Sequence, residues 1–319
     1  MSKTLLITGA TGHQGGAVID ALLALPNFAE QFTILAVTRQ TSSPSAQRLA
    51  ARSPANIKLV QGNLDDVPAL FQEAQRVHPA SPIWGVYSVQ VSMGPGVTAE
   101  GEIKQGKALV DAALASGTVK HFVYSSVERG GDKASWNNQT PIPHFQTKYH
   151  IEQHLRDATA GALGSAPRMG WTILRPVGYM DNLAPGLPTK VFLAALRNYL
   201  GERDKALQWV ATADIGVFVA KAFASPREWD GRAVGLAGDE LTLEQLSGSF
   251  ARATGHPAPG TFGVLGSALT YAVKEMGTMI GWFASDGYKA DIEARRKEHP
   301  GLLSMEQWLV QKSPFVERK

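Results

Sequence analysis

A glycine-rich turn after the first apolar run constrains the fold of this chain more than any other feature. The apolar residues at 4–8 lead directly into Gly9-Ala10-Thr11-Gly12-His13-Gln14-Gly15. In a strand–turn–helix unit, glycines at these positions permit a tight turn, let backbone amides approach a pyrophosphate, and, at Gly15 or Gly16, let the helix pack closely on the strand. Because a helix start also offers unpaired N–H groups, the segment predicts a dinucleotide phosphate site, although an ordinary turn without a ligand shows the same pattern.

The first half of the chain alternates short apolar runs with longer helical patterns, which is typical of βαβ units and a parallel sheet. The predicted strands are 4–8, 32–38, 57–61, 83–89, 119–126 and 171–175. Apolar residues at helical spacing predict helices over 15–25, 67–76, 100–116 and 145–159. The residues at 40–55 predict a loop or a short helix. We therefore expect an α/β fold of the Rossmann type, a doubly wound parallel sheet with helices on both faces.

The pattern changes after residue 175. Several Gly and Pro residues occupy 176–189, and a loop is expected over 255–260. Helices are predicted over 190–200, 214–226, 242–253 and, as one apolar helix that packs on the nucleotide domain or on a second copy of the chain, 264–282. The sequence thus predicts a nucleotide-binding domain over 1–175 and a smaller, mostly helical substrate-binding region over 176–319, interleaved with it.

The composition excludes several classes of protein. The 319 residues contain no cysteine, so disulfides, thiolate metal sites and a cysteine nucleophile are excluded. The net charge of +3 comes from scattered Lys and Arg residues rather than from the one-sided cluster typical of direct nucleic-acid binding. The chain shows neither a signal-peptide pattern nor an apolar run of the roughly 20 residues that a membrane span requires. We expect a cytoplasmic protein, or a nuclear one if its role is regulatory, that contacts neither a membrane nor nucleic acid directly.

The end of the second predicted strand distinguishes the two nicotinamide dinucleotides. An acidic residue there hydrogen-bonds the ribose 2′-hydroxyl of NAD, whereas Arg pairs with the 2′-phosphate of NADP. The strand ends in Thr38-Arg39-Gln40, so NADP(H) is the expected cofactor and Arg39 its phosphate ligand, with a solvated surface arginine as the alternative. Asn63, Leu64 and Asp65 follow the third strand, where the chain passes the adenine, and helix capping explains the polar pair equally well.

Four segments together resemble the NmrA-like family, an atypical branch of the short-chain dehydrogenase/reductase superfamily. They are the turn at 9–15, Gly62-Asn63-Leu64-Asp65-Asp66, His144-Phe145-Gln146-Thr147-Lys148 and Arg175-Pro176-Val177-Gly178-Tyr179-Met180-Asp181-Asn182. The segments at 287–292 and 300–309 resemble the ends of fungal members. The resemblance implies an NADP(H)-binding Rossmann fold with Val177 and Asn182 beside the nicotinamide ring. It implies either a redox-sensing regulator without turnover or a reductase.

The usual catalytic pair of short-chain dehydrogenases is incomplete in this sequence. In that pair a tyrosine stands four residues before a lysine; the lysine holds the nicotinamide ribose and the phenol exchanges a proton with the substrate. Lys148 is present, but His144 stands where the tyrosine belongs. The resemblance implies that Lys148 positions the ribose or acts as acid or base, unless it is a surface lysine. His144 is a candidate proton donor or an ordinary loop histidine.

Further candidate site residues follow the fourth and fifth predicted strands, where ligands bind in sheets of this kind. Ser125 and Ser126 occupy the place of the superfamily's substrate-orienting serine, or cap the following turn. Ser88 and Gln90 are expected to line the nicotinamide side of the pocket. The loop at 131–143 either covers a substrate or is a mobile surface loop.

Other chemistries lack their motifs. The sequence shows no cluster of His, Asp and Glu at metal-ligand spacing, no GxSxG elbow, and no Lys and Ser/Thr ending of a P-loop. We therefore expect NADPH-dependent reduction of a C=N, C=C or C=O group in a small aromatic or heterocyclic metabolite. The alternatives are a non-catalytic NADP(H) sensor that binds a regulatory protein partner, and an NADP-containing cyclase or isomerase of a biosynthetic pathway. The apolar run at 264–283 favours a homodimer.

Overall fold

The computed structural model describes residues 2–94, 96–160, 169–201 and 205–317. The chain forms two compact units, each built from three separate segments. Unit 1 comprises Met1–Ser126, Thr147–Leu174 and Ile215–Ala233, and unit 2 comprises Val127–Gln146, Arg175–Asp214 and Val234–Lys319. Each unit therefore takes segments from both sides of residue 175, where the sequence predicts a boundary.

Strands and helices alternate along unit 1, and the elements of both units have the following bounds in chain order. The strands are β1 (Lys3–Ile7), β2 (Phe32–Thr38), β3 (Ile57–Gln61), β4 (Ile83–Ser88), β5 (His121–Ser125), β6 (Gly170–Pro176), β7 (Gly178–Tyr179), β8 (Leu207–Val210), β9 (Arg232–Leu236) and β10 (Asp239–Leu241). The α-helices are α1 (His13–Leu23), α2 (Phe28–Gln31), α3 (Pro44–Ala51), α4 (Val67–Val77), α5 (Ala99–Ala115), α6 (Pro143–Ala160), α7 (Leu187–Leu200), α8 (Thr212–Ala224), α9 (Pro226–Trp229), α10 (Leu243–Thr254), α11 (Gly263–Ala272), α12 (Lys274–Ser285), α13 (Ile292–Glu298) and α14 (Met305–Gln311). Short 3-10 helices occupy Ala134–Trp136 and Met180–Asn182.

Within the described part of the chain, seven strands form one sheet in the order β3-β2-β1-β4-β5-β6-β9. The pairs from β3 through to β6 are parallel, with Leu5 of β1 opposite Ile34 of β2 and Gly85 of β4. The strand order changes direction between β1 and β4, and ligands bind outside the carboxyl ends of the strands at such a point. The predicted fold class, a Rossmann doubly wound sheet, is confirmed.

Central strands of this sheet are buried along almost their whole length because helices cover both faces of a parallel sheet. Residues 32–37 of β2 are all buried, and so are all residues of β5. α1 buries Gly15, Val18, Ile19 and Leu22, which lie at the i, i+3, i+4 and i+7 spacing of one helix face. The sequence pattern therefore fixes which side of α1 packs on the sheet, and with it the direction in which the preceding turn points.

Unit 2 is mostly helical and carries a small second sheet. In this sheet β8 lies antiparallel to β10 and parallel to β7. The strands β7 to β10 are absent from the sequence prediction. β7, β8 and β10 contain two, four and three residues, which is too short for an alternating pattern to stand out, and β9 is interrupted by Gly235.

The single helix predicted over 264–282 is wrong. The chain forms α11 and α12 there, with Val273 between them at φ −114° and ψ 86°, outside the helical region. Asn198 of α7 donates hydrogen bonds to the carbonyl oxygen of Gly263 and to the hydroxyl of Ser267, which holds α11 along α7. No proline marks the bend, so the sequence does not reveal it.

A buried histidine at the start of β5 makes the stability of the fold depend on pH. Burial lowers the pKa of His121 from 6.5 to about 4, and its Nε2 lies 2.9 Å from the Thr172 hydroxyl. Between about pH 4 and pH 6.5, His121 is therefore protonated in the unfolded chain and neutral in the folded chain. The free energy of unfolding consequently decreases as the pH falls from 6.5 towards 4. We expect this group to remove up to about 3 kcal/mol from the free energy of unfolding over that range.

The measurement is urea unfolding of the wild type and of His121→Gln at pH 7.0, 5.5 and 4.5. Glutamine keeps a polar group opposite Thr172 but does not titrate, so the variant should lose less stability than the wild type on acidification. Parallel losses in both proteins would show that His121 does not control the effect.

Candidate functional site

The turn after β1 has the geometry of a phosphate-binding loop. Gly9 adopts φ +60°, and the amide of Gly12 donates a hydrogen bond of 2.9 Å to its carbonyl oxygen, which closes the turn. A Cβ added to Gly15 would lie 2.2 Å from that same carbonyl oxygen, whereas a Cβ added to Gly16 would be 3.8 Å from its nearest neighbour. Of the two glycines that the sequence left as alternatives, Gly15 is the one that the close packing requires.

The first turn of α1 is open towards solvent. Gly12 is the N-cap and has no side chain to accept from the helix amides, and the first turn contains no acidic residue. Gly9, Thr11, Gly12 and His13 are exposed. The positive end of the helix dipole and its amides therefore stay available to an anion, which is the arrangement that binds phosphate at helix N-termini.

Gln14 connects this turn to the carboxyl ends of two strands. Its side-chain oxygen accepts hydrogen bonds from the Ser125 hydroxyl at 2.6 Å and from the Tyr87 hydroxyl at 3.2 Å. Ser125 ends β5 and is 1% exposed. The hydroxyl that the sequence assigns to substrate binding is therefore engaged with the nucleotide turn.

The next serine is engaged with a buried carboxylate. The hydroxyl of Ser126 donates to Oε1 of Glu152 on α6, and both residues are buried. Glu152 lies four residues after Lys148, so the two side chains lie on the same side of α6. The sequence prediction missed Glu152, because an isolated Glu on a helix is usually a solvated residue.

The segment after β4 carries a buried acceptor that has no partner among the described residues. Gln90 is 6% exposed and donates from Nε2 to the hydroxyl of the fully buried Ser88 at 2.9 Å. Its Oε1 accepts no hydrogen bond from the described residues. A buried amide oxygen left in this way costs free energy, so the site favours a ligand or water that donates to Gln90.

Lys148 forms a buried ion pair with Glu102 of α5. The distance from Nζ to Oε1 is 2.5 Å, and the two side chains are 8% and 1% exposed. Oε1 also accepts from the Ser92 hydroxyl at 2.9 Å, and Oε2 accepts from the Thr147 hydroxyl at 2.7 Å. Nζ lies 5.9 Å from the ring centroid of Tyr124 on β5. The alternative of a surface lysine is therefore wrong in this structure.

Glu102 is a second residue that the sequence prediction missed, although its position carried a signal. It lies on the buried side of α5 together with Gly106, Leu109, Val110 and Ala113. A carboxylate within an otherwise apolar helix row is rarely buried unless it is paired. Its presence there predicts a buried cationic partner, and Lys148 is that partner.

The predicted ligands of the adenosine end lie at the surface. Arg39 follows β2, is exposed, and forms no ion pair with the residues that the structure describes. Asn63 donates to Asp65 at 2.7 Å, and hydrogen bonds from Gln105 and Asn63 lower the pKa of the Asp65 carboxyl. α4 is capped by Asp66 instead, whose Oδ1 accepts from the amide of Ala69.

These contacts resolve the alternative of helix capping for the segment after β3. Neither Asn63 nor Asp65 caps α4, so both polar groups stay at the surface beside the half-buried Leu64. Their role at the adenine stays a prediction.

Unit 2 contains three of the predicted site residues: Val177 and Asn182 near β7, and His144 at the start of α6. Val177 is buried and its amide donates to the carbonyl oxygen of Leu236, whereas Asn182 is exposed at the end of a 3-10 helix. Nδ1 of His144 lies 2.6 Å from Oε1 of Glu275, which also accepts from the His144 amide. His144 therefore has a carboxylate partner of its own, and its role as proton donor stays a prediction.

The loop at 131–143 is held by two fully buried arginines. The guanidinium of Arg129 donates to the carbonyl oxygens of Val127, Ser135 and Asn138 at 2.8, 2.7 and 3.0 Å. Arg175 lies 4.5 Å from the ring centroid of Trp136 and donates to the carbonyl oxygen of Asp132. Of the two interpretations of this loop, these contacts favour an ordered structure over a mobile one.

A buried carboxyl group ties the start of this loop to the C-terminal segment. Glu128 accepts hydrogen bonds from the amides of Gly130, Gly131 and Lys289. Burial raises the pKa of Glu128. The pKa of Tyr288 is raised well above its usual value, mainly by burial and, to a smaller extent, by the nearby Glu128 carboxyl. The segment at 287–292, noted above for its resemblance, is thus fixed to the loop through backbone amides.

Comparison with known proteins identifies the family of this chain. A sequence model described as the NmrA-like family matches residues 1–309. The chain belongs to the NmrA-like family. The resemblance inferred from its motifs is therefore confirmed over nearly its full length.

Individual relatives share less than a third of their residues with this chain. The NmrA-like family domain-containing oxidoreductase lnaB of Aspergillus flavus is 28% identical over 266 residues, which are 80% of this chain and 74% of that protein. The crystal structure of NmrA, a negative transcriptional regulator, has a TM-score of 0.70 at 20% identity and covers 98% of this chain and 96% of its own. The triphenylmethane reductase of Citrobacter sp., solved with NADP(H), has a TM-score of 0.68 at 18% identity and covers 98% and 99%. At these identities the two structures support the fold alone.

None of the helices formed by the described residues is long and apolar enough to span a membrane. No group of three or more His, Asp or Glu side chains among these residues is arranged to hold a metal ion.

Replacement of the two adjacent glycines should separate close packing from helix propensity. Gly15→Ala is expected to destabilise the protein by about 1–3 kcal/mol, since its Cβ overlaps the Gly9 carbonyl and the turn must move. Gly16→Ala meets no such contact and should be neutral or stabilising by up to about 1 kcal/mol, because alanine favours helix. Urea unfolding of both variants measures this difference, and equal free energies of unfolding would contradict it.

Proposed function

We propose that this protein is an NADPH-dependent reductase of a small molecule. The observation that carries the proposal is the buried ion pair of Lys148 with Glu102, next to Tyr124 at the end of β5. A buried charge pair seldom adds stability over apolar residues of the same volume, so its presence at the carboxyl ends of the strands favours a chemical role. The naming of relatives such as lnaB as oxidoreductases supports the same assignment.

The residues present fit an NADP(H) molecule. Gly9, Gly12 and Gly15 form a cradle that a Cβ would fill or strain, and the uncapped start of α1 faces it. Arg39 stands exposed where the 2′-phosphate of NADP requires a cation. The unpartnered Oε1 of Gln90 matches an amide donor such as the nicotinamide carboxamide. When bound, NADPH supplies a hydride to the substrate.

The hydrogen bonds of the site support Lys148 as the proton donor in this proposal. Reduction of a C=N, C=C or C=O bond by hydride leaves an atom that must gain a proton. The hydroxyl of Ser125 donates to Gln14 and that of Ser126 to Glu152, so both can accept a hydrogen bond from a substrate while their own protons are engaged. The Lys148 ammonium has three N–H donors, which is more than its contact with Glu102 requires.

The proposed substrate is a small aromatic or heterocyclic metabolite, as the sequence analysis expects. The exposed apolar side chains of Val91 and Met93 directly follow Gln90 and offer an adaptable apolar surface at the end of β4. The triphenylmethane reductase, similar in fold, acts on an aromatic compound by its name.

A non-catalytic NADP(H) sensor is the second candidate. The substitution of His144 for the usual tyrosine favours it, and the ring of His144 is bound to Glu275. The NmrA structure, similar in fold, is that of a transcriptional regulator. This candidate predicts tight binding of NADPH without turnover.

Removal of the cation after β2 should lower the preference for the phosphorylated cofactor. Arg39→Ala is expected to weaken NADPH binding by roughly 10–100-fold, the scale of a hydrogen bond between charged groups, and to leave NADH binding within about threefold. Isothermal titration of both cofactors measures this. Arg227→Ala, which removes an exposed charge from α9 of the same unit, serves as the control. Equal losses for NADPH and NADH would sink the assignment of Arg39 to the 2′-phosphate.

Turnover distinguishes the reductase from the sensor. NADPH oxidation should be measured with a panel of a triphenylmethane dye, a quinone, a cyclic imine and an enone. Lys148→Met is expected to lower kcat by at least about 100-fold, the usual contribution of a positioned acid or base, and circular dichroism checks that the variant is folded. Lys221→Met on α8 is the matched control. Tight NADPH binding by the wild type with no oxidation across the panel would instead favour the sensor or the non-redox cyclase or isomerase.

A further inference from the structure

We propose that Glu102 is a positioning residue of this site: it holds the Lys148 ammonium in place for cofactor and substrate, without touching either. This inference rests on the proposed function, since it concerns how Lys148 meets NADPH. Glu102 lies on α5, and neither the glycine-rich turn nor any motif of the family resemblance includes it.

The carboxylate of Glu102 is fixed from three sides. Oε1 contacts Lys148 Nζ at 2.5 Å and accepts from the Ser92 hydroxyl at 2.9 Å, and Oε2 accepts from the Thr147 hydroxyl at 2.7 Å. All three partners are donors, which suits a carboxylate that accepts at both oxygens. The side chain is 1% exposed, so no solvent competes for these bonds. Its position is therefore set before any ligand binds.

The packing of two helices brings the pair together. Gly106 stands one turn after Glu102 on α5, and a Cβ there would lie 2.4 Å from the end of the Ile151 side chain on α6. This close approach lets the carboxylate reach Lys148, which stands three residues before Ile151. The ion pair thus depends on the helix contact as well as on the two charges.

Lys148 needs such a partner. A lysine side chain is a flexible four-carbon stem, and holding its ammonium in one direction costs rotamer entropy. A buried ammonium without an anion is also strongly unfavourable, so the side chain would turn away if Glu102 were neutral. One contact with Glu102 fixes the stem and leaves N–H donors for a ligand.

Glu102 also connects Lys148 to the segment after β4. Ser92, which donates to Glu102, stands two residues after Gln90. Gln90 is the buried amide whose Oε1 lacks a donor among the residues described. One carboxylate therefore holds the ammonium and also anchors, through Ser92, the chain segment that carries the amide oxygen of Gln90.

The test is a double-mutant cycle on the dissociation constant of NADPH, measured by isothermal titration for the wild type, Glu102→Gln, Lys148→Met and the double variant. Glu102→Gln keeps the side-chain volume and removes the charge. In the wild-type background it should weaken NADPH by about five- to tenfold, and in the Lys148→Met background by less than about twofold, because it acts through Lys148. Glu100→Gln removes an exposed charge from the first turn of α5 and is the matched control.

A second readout uses the best substrate of the panel. Glu102→Gln should lower kcat by at least about tenfold and change KM by less than about threefold, since a displaced ammonium impairs hydride and proton transfer more than substrate binding. Equal effects of Glu102→Gln on NADPH affinity in both backgrounds would show a merely structural role and overturn the inference alone. NADPH binding without turnover would overturn the reductase and leave the cycle to decide on Glu102. A wild-type protein that does not bind NADPH would overturn both.

Discussion

The contact between α1 and the turn that precedes it sets the geometry on which the site depends. Gly15 lies so close to the carbonyl oxygen of Gly9 that a single added carbon would overlap it. Because of this approach the helix starts directly behind the turn, and its first amides point out of the end of the sheet. The same helix start places Gln14 against Tyr87 and Ser125, at the ends of β4 and β5.

Polar side chains at the strand ends are connected to one another rather than left free. Ser125 is bound to Gln14, Ser126 to Glu152, and Lys148 to Glu102. Each of these bonds lies in a buried environment, where a polar group without a partner is costly. The arrangement is pre-organised, so a bound cofactor and substrate would meet groups whose directions are already set.

The sequence predicted the sheet and the turn because local patterns determine both. The bounds of β2 and β3 agree with the apolar runs at 32–38 and 57–61, and the family assignment from motifs is confirmed. It did not predict the bend at Val273, since no proline marks it. It also missed three carboxylates: Glu102, which pairs with Lys148, Glu152, which pairs with Ser126, and Glu275, which pairs with His144. Each pair forms through packing between segments that are distant in the sequence.

The side-chain oxygen of Gln14 accepts two hydrogen bonds, so substitutions at the three residues involved have unequal consequences. The Tyr87 and Ser125 hydroxyls donate to the same oxygen, so the loss of either leaves that acceptor satisfied by the other. A change at Gln14 removes the acceptor from two buried hydroxyls at once. A substitution at Tyr87 or Ser125 alone therefore leaves the Gln14 oxygen with a donor, whereas a substitution at Gln14 removes one acceptor from both hydroxyls.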